Sequence, residues 1–219
     1  MTITKNKHFL LASIAGFLIL LVGGIGYMII TEPRTEIDKF RAIVGSDVNA
    51  VDEYGLTLLQ KAVMEINGKW NNGEWYIEFI KFLISEGADI NAKGEMAYTP
   101  LIMAVQIQNI DILEILVSAG ADVNAKNDAV STPLHFAVGL GNIEVIEFLI
   151  SAGADVNVKN EVGAVPLHWA VTCDNVEVAK FLISQGADVN AKSEDGKTPL
   201  DWANEYGKTA TAAFLSSVR

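Results

Sequence analysis

After residue 52 the chain alternates short amphipathic stretches with polar turns, and the alternation keeps a fixed length. The string Ala-Asp-(Ile/Val)-Asn begins at Ala88, Ala121, Ala154 and Ala187, in steps of 33 residues. A second marker keeps the same step: Thr99-Pro100-Leu101, Thr132-Pro133-Leu134-His135, Val165-Pro166-Leu167-His168 and Thr198-Pro199-Leu200. A weaker copy, Ser46-Asp47-Val48-Asn49 with Thr57-Leu58-Leu59, lies 42 residues before the next, so its unit carries 9 extra residues. Within a unit the Thr-Pro pair predicts a helix start, with Thr as the capping hydroxyl and Pro at the first helical position, where no N–H partner is needed. A short inner helix follows, Pro133 to Val138 for example, and then a left-handed turn at Gly141. Val145, Ile146, Leu149 and Ile150 fall at helical spacing and predict a second helix over Ile143–Ala152. Gly153 closes that helix, and Ala154-Asp155-Val156-Asn157 leads into an extended turn. One such unit cannot bury its own apolar face, whereas a stack of them builds a continuous core.

The N-terminal segment has a different pattern. Phe9 to Ile30 are 22 residues without a charge. As a helix they would span about 33 Å, enough to cross a hydrocarbon core of roughly 30 Å. The reading is a retained transmembrane helix or signal anchor over 9–30, behind a basic tail at 1–8 with Lys5 and Lys7 and ahead of a linker at 31–36. Cleavage near Gly23, Gly24 and Gly26 is the alternative, which would leave a secreted or periplasmic protein. Tyr27-Met28-Ile29-Ile30 continues the apolar run past that point and favours retention. The export-like layout of the tail places the N-terminus in the cytoplasm and the body outside it.

The repeat motifs resemble the ankyrin-repeat family. Thr132-Pro133-Leu134-His135-Phe136-Ala137 matches the family's T-P-L-H-x-A signature in full, and Val165 to Ala170 misses only the Thr. The resemblance covers 37–219 and implies an all-α solenoid of helix-turn-helix units joined by hairpin turns. Its parts are an N-terminal cap at 37–51 with Ile37, Phe40 and Val44 as its apolar stripe, repeats at 52–93, 94–126, 127–159 and 160–192, and a C-terminal cap at 193–219. Gln108 and Asp174 stand where the family prefers Gly between the helices, and Ala97 and Val130 where it prefers Gly in the hairpin. These departures carry a local cost, because a Cβ disfavours positive φ. The 9 extra residues fall at 67–75 between the two helices of the first full repeat. There Trp70 and Trp75 either pin the loop to the stack or form an aromatic contact tip.

Composition narrows the function. The 16 basic and 27 acidic residues give a net charge of −11. Residues 31–219 alone hold 14 basic against 27 acidic, a net −13 that repels nucleic-acid phosphates. The single cysteine, Cys173, supplies neither a disulfide framework nor a thiolate metal cage. No metal-ligand spacing, phosphate-cradling glycine cluster or nucleophile with a base and an orienter is present, so neither enzyme activity nor a cofactor is expected. His135 and His168 occupy the fourth signature position, where the resemblance implies a structural imidazole. Phe136, Trp169 and Trp202 recur at the same period and are expected to pack between helices.

What remains is a surface. The family's partners are held on hairpin tips and inner helices, which form a concave face. The second residue of each unit is Glu53, Glu95, Asp128, Glu161 and Glu194, an acid every time. The third and fifth positions include Tyr54, Leu56, Met96, Tyr98, Ser131, Val162, Ala164 and Asp195, and the open-facing ends of the inner helices hold Leu140, Cys173 and Tyr206. The resulting expectation is a monomeric, membrane-tethered adaptor that binds a basic protein partner on an acidic, partly apolar face. A structural or weakly cation-binding envelope protein and a secreted host-directed effector are the alternatives.

Overall fold

The computed structural model describes residues 12–14, 17–19, 44–45, 47–65 and 74–218. Ten α-helices lie among the described residues, in pairs. The inner members are α1 (Leu58–Glu65), α3 (Pro100–Ile107), α5 (Pro133–Leu140), α7 (Pro166–Thr172) and α9 (Pro199–Glu205). The outer members are α2 (Glu74–Ser85), α4 (Ile110–Ser118), α6 (Ile143–Ser151), α8 (Val176–Ser184) and α10 (Thr209–Ser217). Each inner helix packs on its own outer helix and on the inner helices of the neighbouring repeats. One core results, running the length of the stack through Leu59, Leu83, Leu101, Leu116, Leu134, Leu149, Leu167, Leu182 and Leu215.

Local chemistry fixes the helix boundaries. Pro opens α3, α5, α7 and α9, and Thr99 and Thr198 accept the N–H of Ile102 and Asp201 at 3.3 Å. Asn109, Asn142 and Asn175 cap α4, α6 and α8 through their side-chain oxygens. Gly87, Gly120, Gly153 and Gly186, all left-handed, end four outer helices. The following Ala88, Ala121, Ala154 and Ala187 then return their N–H to the helix at 2.9–3.0 Å.

Side chains staple the repeats together. Asn49, Asn91, Asn124 and Asn157 each donate to the helix-closing Gly carbonyl of the next repeat, at 3.0–3.4 Å, and accept the N–H of its Asp at 2.7–2.9 Å. The recurring Asn of the sequence motif is therefore an inter-repeat clamp.

One expectation is corrected here and one alternative is decided. Where a helix is expected across 9–30, the described backbone is a pair of short strands, β1 (Ala12–Ile14) and β2 (Phe17–Ile19), antiparallel with Ala12 opposite Ile19. A run that is apolar at every position carries neither helical nor strand periodicity, so hydropathy alone does not separate the two. The rest of 9–30 lies outside the described residues, and no described helix is long and apolar enough to cross a membrane. In the insertion, Trp75 belongs to α2, which starts three residues earlier than the pattern of α4, α6 and α8 implies. Its half-buried ring stacks on Phe79 at 5.1 Å and meets Tyr76 edge-on, so it anchors the added turn and is not a loop tip. Trp70 lies outside the described residues, as do Ile37 and Phe40 of the N-terminal cap, whereas Val44 packs against the core.

Candidate functional site

Each hairpin forms a finger closed by the same bond. The N–H groups of Asp52, Gly94, Asn127, Asn160 and Ser193 donate to the carbonyls of Leu56, Tyr98, Ser131, Ala164 and Lys197 at 3.0–3.1 Å. The fourth finger residue is left-handed throughout: Gly55, Ala97, Val130, Gly163 and Gly196. Three of these are Gly, which adopts positive φ without strain. Val130, at φ 56°, is β-branched, and its Cβ crowds the backbone there. This geometry carries the second residue to the tip, so Glu53, Glu95, Asp128, Glu161 and Glu194 are all exposed.

The third and fifth positions separate. Tyr54, Met96, Val162 and Asp195 are exposed at the third position, while Ser131 and Ala164 are buried at the fifth. Leu56 and Tyr98, also fifth residues, are half-buried against the core, and the Tyr98 ring meets Phe136 edge-on at 5.4 Å. In three fingers the carbonyl of the fifth residue also receives a side chain from the preceding repeat. His135 Nε2 donates to the carbonyl of Ala164, and His168 Nε2 to that of Lys197, both at 3.2 Å. The other ring nitrogen of each accepts the N–H that opens its own helix, of Thr132 and Val165, also at 3.2 Å. One neutral tautomer satisfies both bonds. Gln60 performs the same task in the first full repeat, accepting from Thr57 at 2.8 Å and donating to Tyr98 at 2.8 Å.

Both imidazoles are fully buried. Burial disfavours the cation and pushes His135 down to about 4, and His168 is lowered for the same reason. The expected structural role of these histidines is therefore met. Phe136, Trp169 and Trp202 pack as expected: Trp169 and Trp202 lie edge-on to His135 and His168 at 5.7 and 4.7 Å.

Leu140 is the last residue of α5 and Tyr206 caps α9, and both are exposed. Tyr206 rests edge-on against Trp202 at 5.7 Å. Cys173 at the end of α7 is exposed and donates its thiol hydrogen to the Gly139 carbonyl at 3.2 Å. At the last finger the charges pair internally, since Lys197 meets Asp195 at 3.1 Å and Glu205 at 2.7 Å. The Ser193 hydroxyl and then Lys197 hold the Asp195 carboxyl below the usual range.

A basic row accompanies the acids, and the sequence reading passed over it. Lys93, Lys126, Lys159 and Lys192 stand two residues before the acids of four fingers and are all exposed. Lys93 and Lys159 donate to the carbonyls of Lys126 and Lys192, at 3.2 and 2.9 Å. Their 33-residue period was the available signal. In the first finger Val51 takes the place of Lys.

The non-Gly residues between helices, expected only to cost stability, also make bonds. Gln108 and Asp174 are left-handed, at φ 56° and 52°. The Gln108 oxygen accepts from Asn142 of the next repeat at 2.9 Å. Asp174 accepts both the N–H and the hydroxyl of Thr211, at 3.0 and 2.6 Å, and so caps α10, whose own capping position holds Lys208. Among the described residues no three His, Cys, Asp or Glu side chains come together as metal ligands.

Comparison with known proteins agrees with this geometry. The profile of the family described as ankyrin repeats (3 copies) matches residues 28–127, 70–160 and 134–218. Two curated Variola virus sequences named ankyrin repeat protein OPG189 are each 34% identical to this chain over 70 residues. That match covers 31% of this chain and 12% of the relatives' length. The 33-residue stack, its histidine and asparagine clamps and the profile match over most of its length establish that the chain belongs to the ankyrin-repeat family.

Proposed function

We propose that this chain is a protein-binding module held at a membrane by the apolar stretch at residues 9–30, a reading supported by its 22 uncharged residues and not by a helix, with its repeats outside the cytoplasm, and that it holds its partner along the finger tips and the adjoining ends of the inner helices. Membership of a family of interaction modules supports the general reading. The observation that carries the choice of face is the exposure of Tyr54, Met96, Leu140, Val162 and Tyr206 in a stack that buries most other large apolar side chains. These residues lie beside five exposed carboxylates. A surface already fixed by inter-repeat hydrogen bonds loses little entropy on binding, and the carboxylates steer a basic partner towards it. The lysine row offsets part of that field, so apolar contacts carry affinity while charge sets the approach.

The test is capture from intact membranes by crosslinking, comparing the native chain with the triple variant Glu95→Lys, Asp128→Lys and Glu161→Lys. Each acid alone contributes about 0–1 kcal/mol, so single changes have little effect. The triple variant is expected to keep its fold and to lose most capture at low salt, with the difference shrinking as salt rises. Equal capture by both chains would show that the acids are only solvated tips.

A further inference from the structure

The fingers are bonded to one another, except at one place. The N–H of Asp128 donates to the carbonyl of Met96, that of Glu161 to Ala129 and that of Glu194 to Val162, at 3.0–3.1 Å. The corresponding pair at the N-terminal end, the Glu95 N–H and the Tyr54 carbonyl, makes no such bond, and neither group has another partner among the described residues. The second finger also turns differently. Met96 is left-handed, unlike Ala129, Val162 and Asp195 at the same position, so two consecutive non-Gly residues, Met96 and Ala97, have positive φ.

The open place lies in the part of the described chain that exposes the most large apolar side chains. Tyr54, Met96, Val51 and Met64 are 63%, 61%, 60% and 52% exposed, the four highest values among the large hydrophobic residues described. All four lie within residues 51–96. Glu53 and Glu95 are the acids here, and Val51 removes the lysine that accompanies the acid in each later finger.

We propose that these first two fingers form the docking site for an extended segment of a protein partner, basic and apolar in alternation, which pairs with the free backbone groups of Tyr54 and Glu95. The inference rests on the reading of the fingers as the partner surface, and adds the location and the conformation of what binds. An extended segment has N–H and C=O groups available to bond the open edge, and its side chains alternate between two faces. The apolar set covers Tyr54, Met96, Val51 and Met64, while the lysines or arginines reach Glu53 and Glu95. The same two acids disfavour an anionic lipid surface as the occupant.

The experiment uses the full chain, labelled with ¹⁵N, in neutral detergent micelles. The probe is the blocked heptapeptide Lys-Val-Lys-Val-Lys-Val-Lys. Expected are saturable amide shifts centred on Glu95 and its neighbours, and at least tenfold weaker binding when the peptide's backbone nitrogens are methylated on alternate residues. The double variant Tyr54→Ala, Met96→Ala is expected to weaken binding at least tenfold with an unchanged far-UV spectrum, and Val162→Ala less than twofold. Shifts centred on the Val162–Glu194 region would overturn this location while leaving the fingers as the partner surface. Undiminished binding of the methylated peptide would overturn the backbone pairing. An absence of saturable shifts on every finger would overturn both this inference and the reading beneath it.

Discussion

Protonating His135 should destabilise the fold, and the structure supplies its own control. In the fold the imidazole is neutral: Nδ1 accepts from Thr132, and Nε2 donates to Ala164. A proton on Nδ1 removes the acceptor and leaves a buried cation facing a backbone N–H. Burial opposes the cation most, the Ala164 carbonyl favours it, and Lys126 and His168 add smaller opposing effects. The folded value of about 4 lies below the unfolded value of 6.5, so the unfolded chain takes up the proton first. Stability from this group is therefore full above pH 6.5 and is lost as pH falls towards 4. The total loss is about 3 kcal/mol, at a limiting slope of about 1.4 kcal/mol per pH unit. His168 adds a loss of the same sign. The perturbation is His135→Gln, because Gln60 already makes the equivalent pair of bonds and does not titrate. Urea unfolding followed by circular dichroism between pH 7.5 and 4.5 should show the native chain losing stability steadily and His135→Gln losing markedly less. Asp52 and Asp174, whose carboxyls are held low, contribute stability that is lost only below the ordinary carboxylate range, outside this window. An identical pH slope in the two chains would refute the reasoning.

Four further outcomes are expected. Leu134 is fully buried between repeats, so Leu134→Ala should cost roughly 2–5 kcal/mol in urea unfolding, and an unchanged midpoint would show that the core face is misplaced. Val130→Gly relieves a left-handed β-branched residue and should raise stability by on the order of 1 kcal/mol. Asp174→Ala removes the cap on Thr211, and hydrogen exchange should accelerate in α10 while α6 stays protected; Asp174→Asn should restore most of that protection. A reporter active only outside the cytoplasm, fused after Arg219, should give signal, and activity of a cytoplasm-only reporter in its place would reverse the proposed orientation.

The repeat architecture was legible in the sequence because each local rule acts within a few residues and recurs at a fixed period. Thr99-Pro100 and Thr198-Pro199 mark helix starts through capping, Gly153 marks a helix end through positive φ, and Leu134 and Leu167 mark the core through helical spacing. The acidic tips followed from counting along the same period. The uniformly apolar stretch over 9–30 was not resolved, because it offers no periodicity to separate helix from the strands at Ala12–Ile14 and Phe17–Ile19. Nor was the extra turn of α2, which places Trp75 against Phe79. Which finger residues point inward also depended on the neighbouring repeat: Ser131 and Ala164 are buried where Tyr54 and Met96, two positions earlier in their units, stand free. The same holds for Gln108 and Asp174, whose strained backbones look like defects until Asn142 and Thr211 of the next repeat appear beside them. The sequence by itself determined what each unit is, since capping, turn and core signals are local. Only the tertiary structure decided what each unit does for its neighbours and where the stack is left open, because those bonds join groups 29 to 40 residues apart.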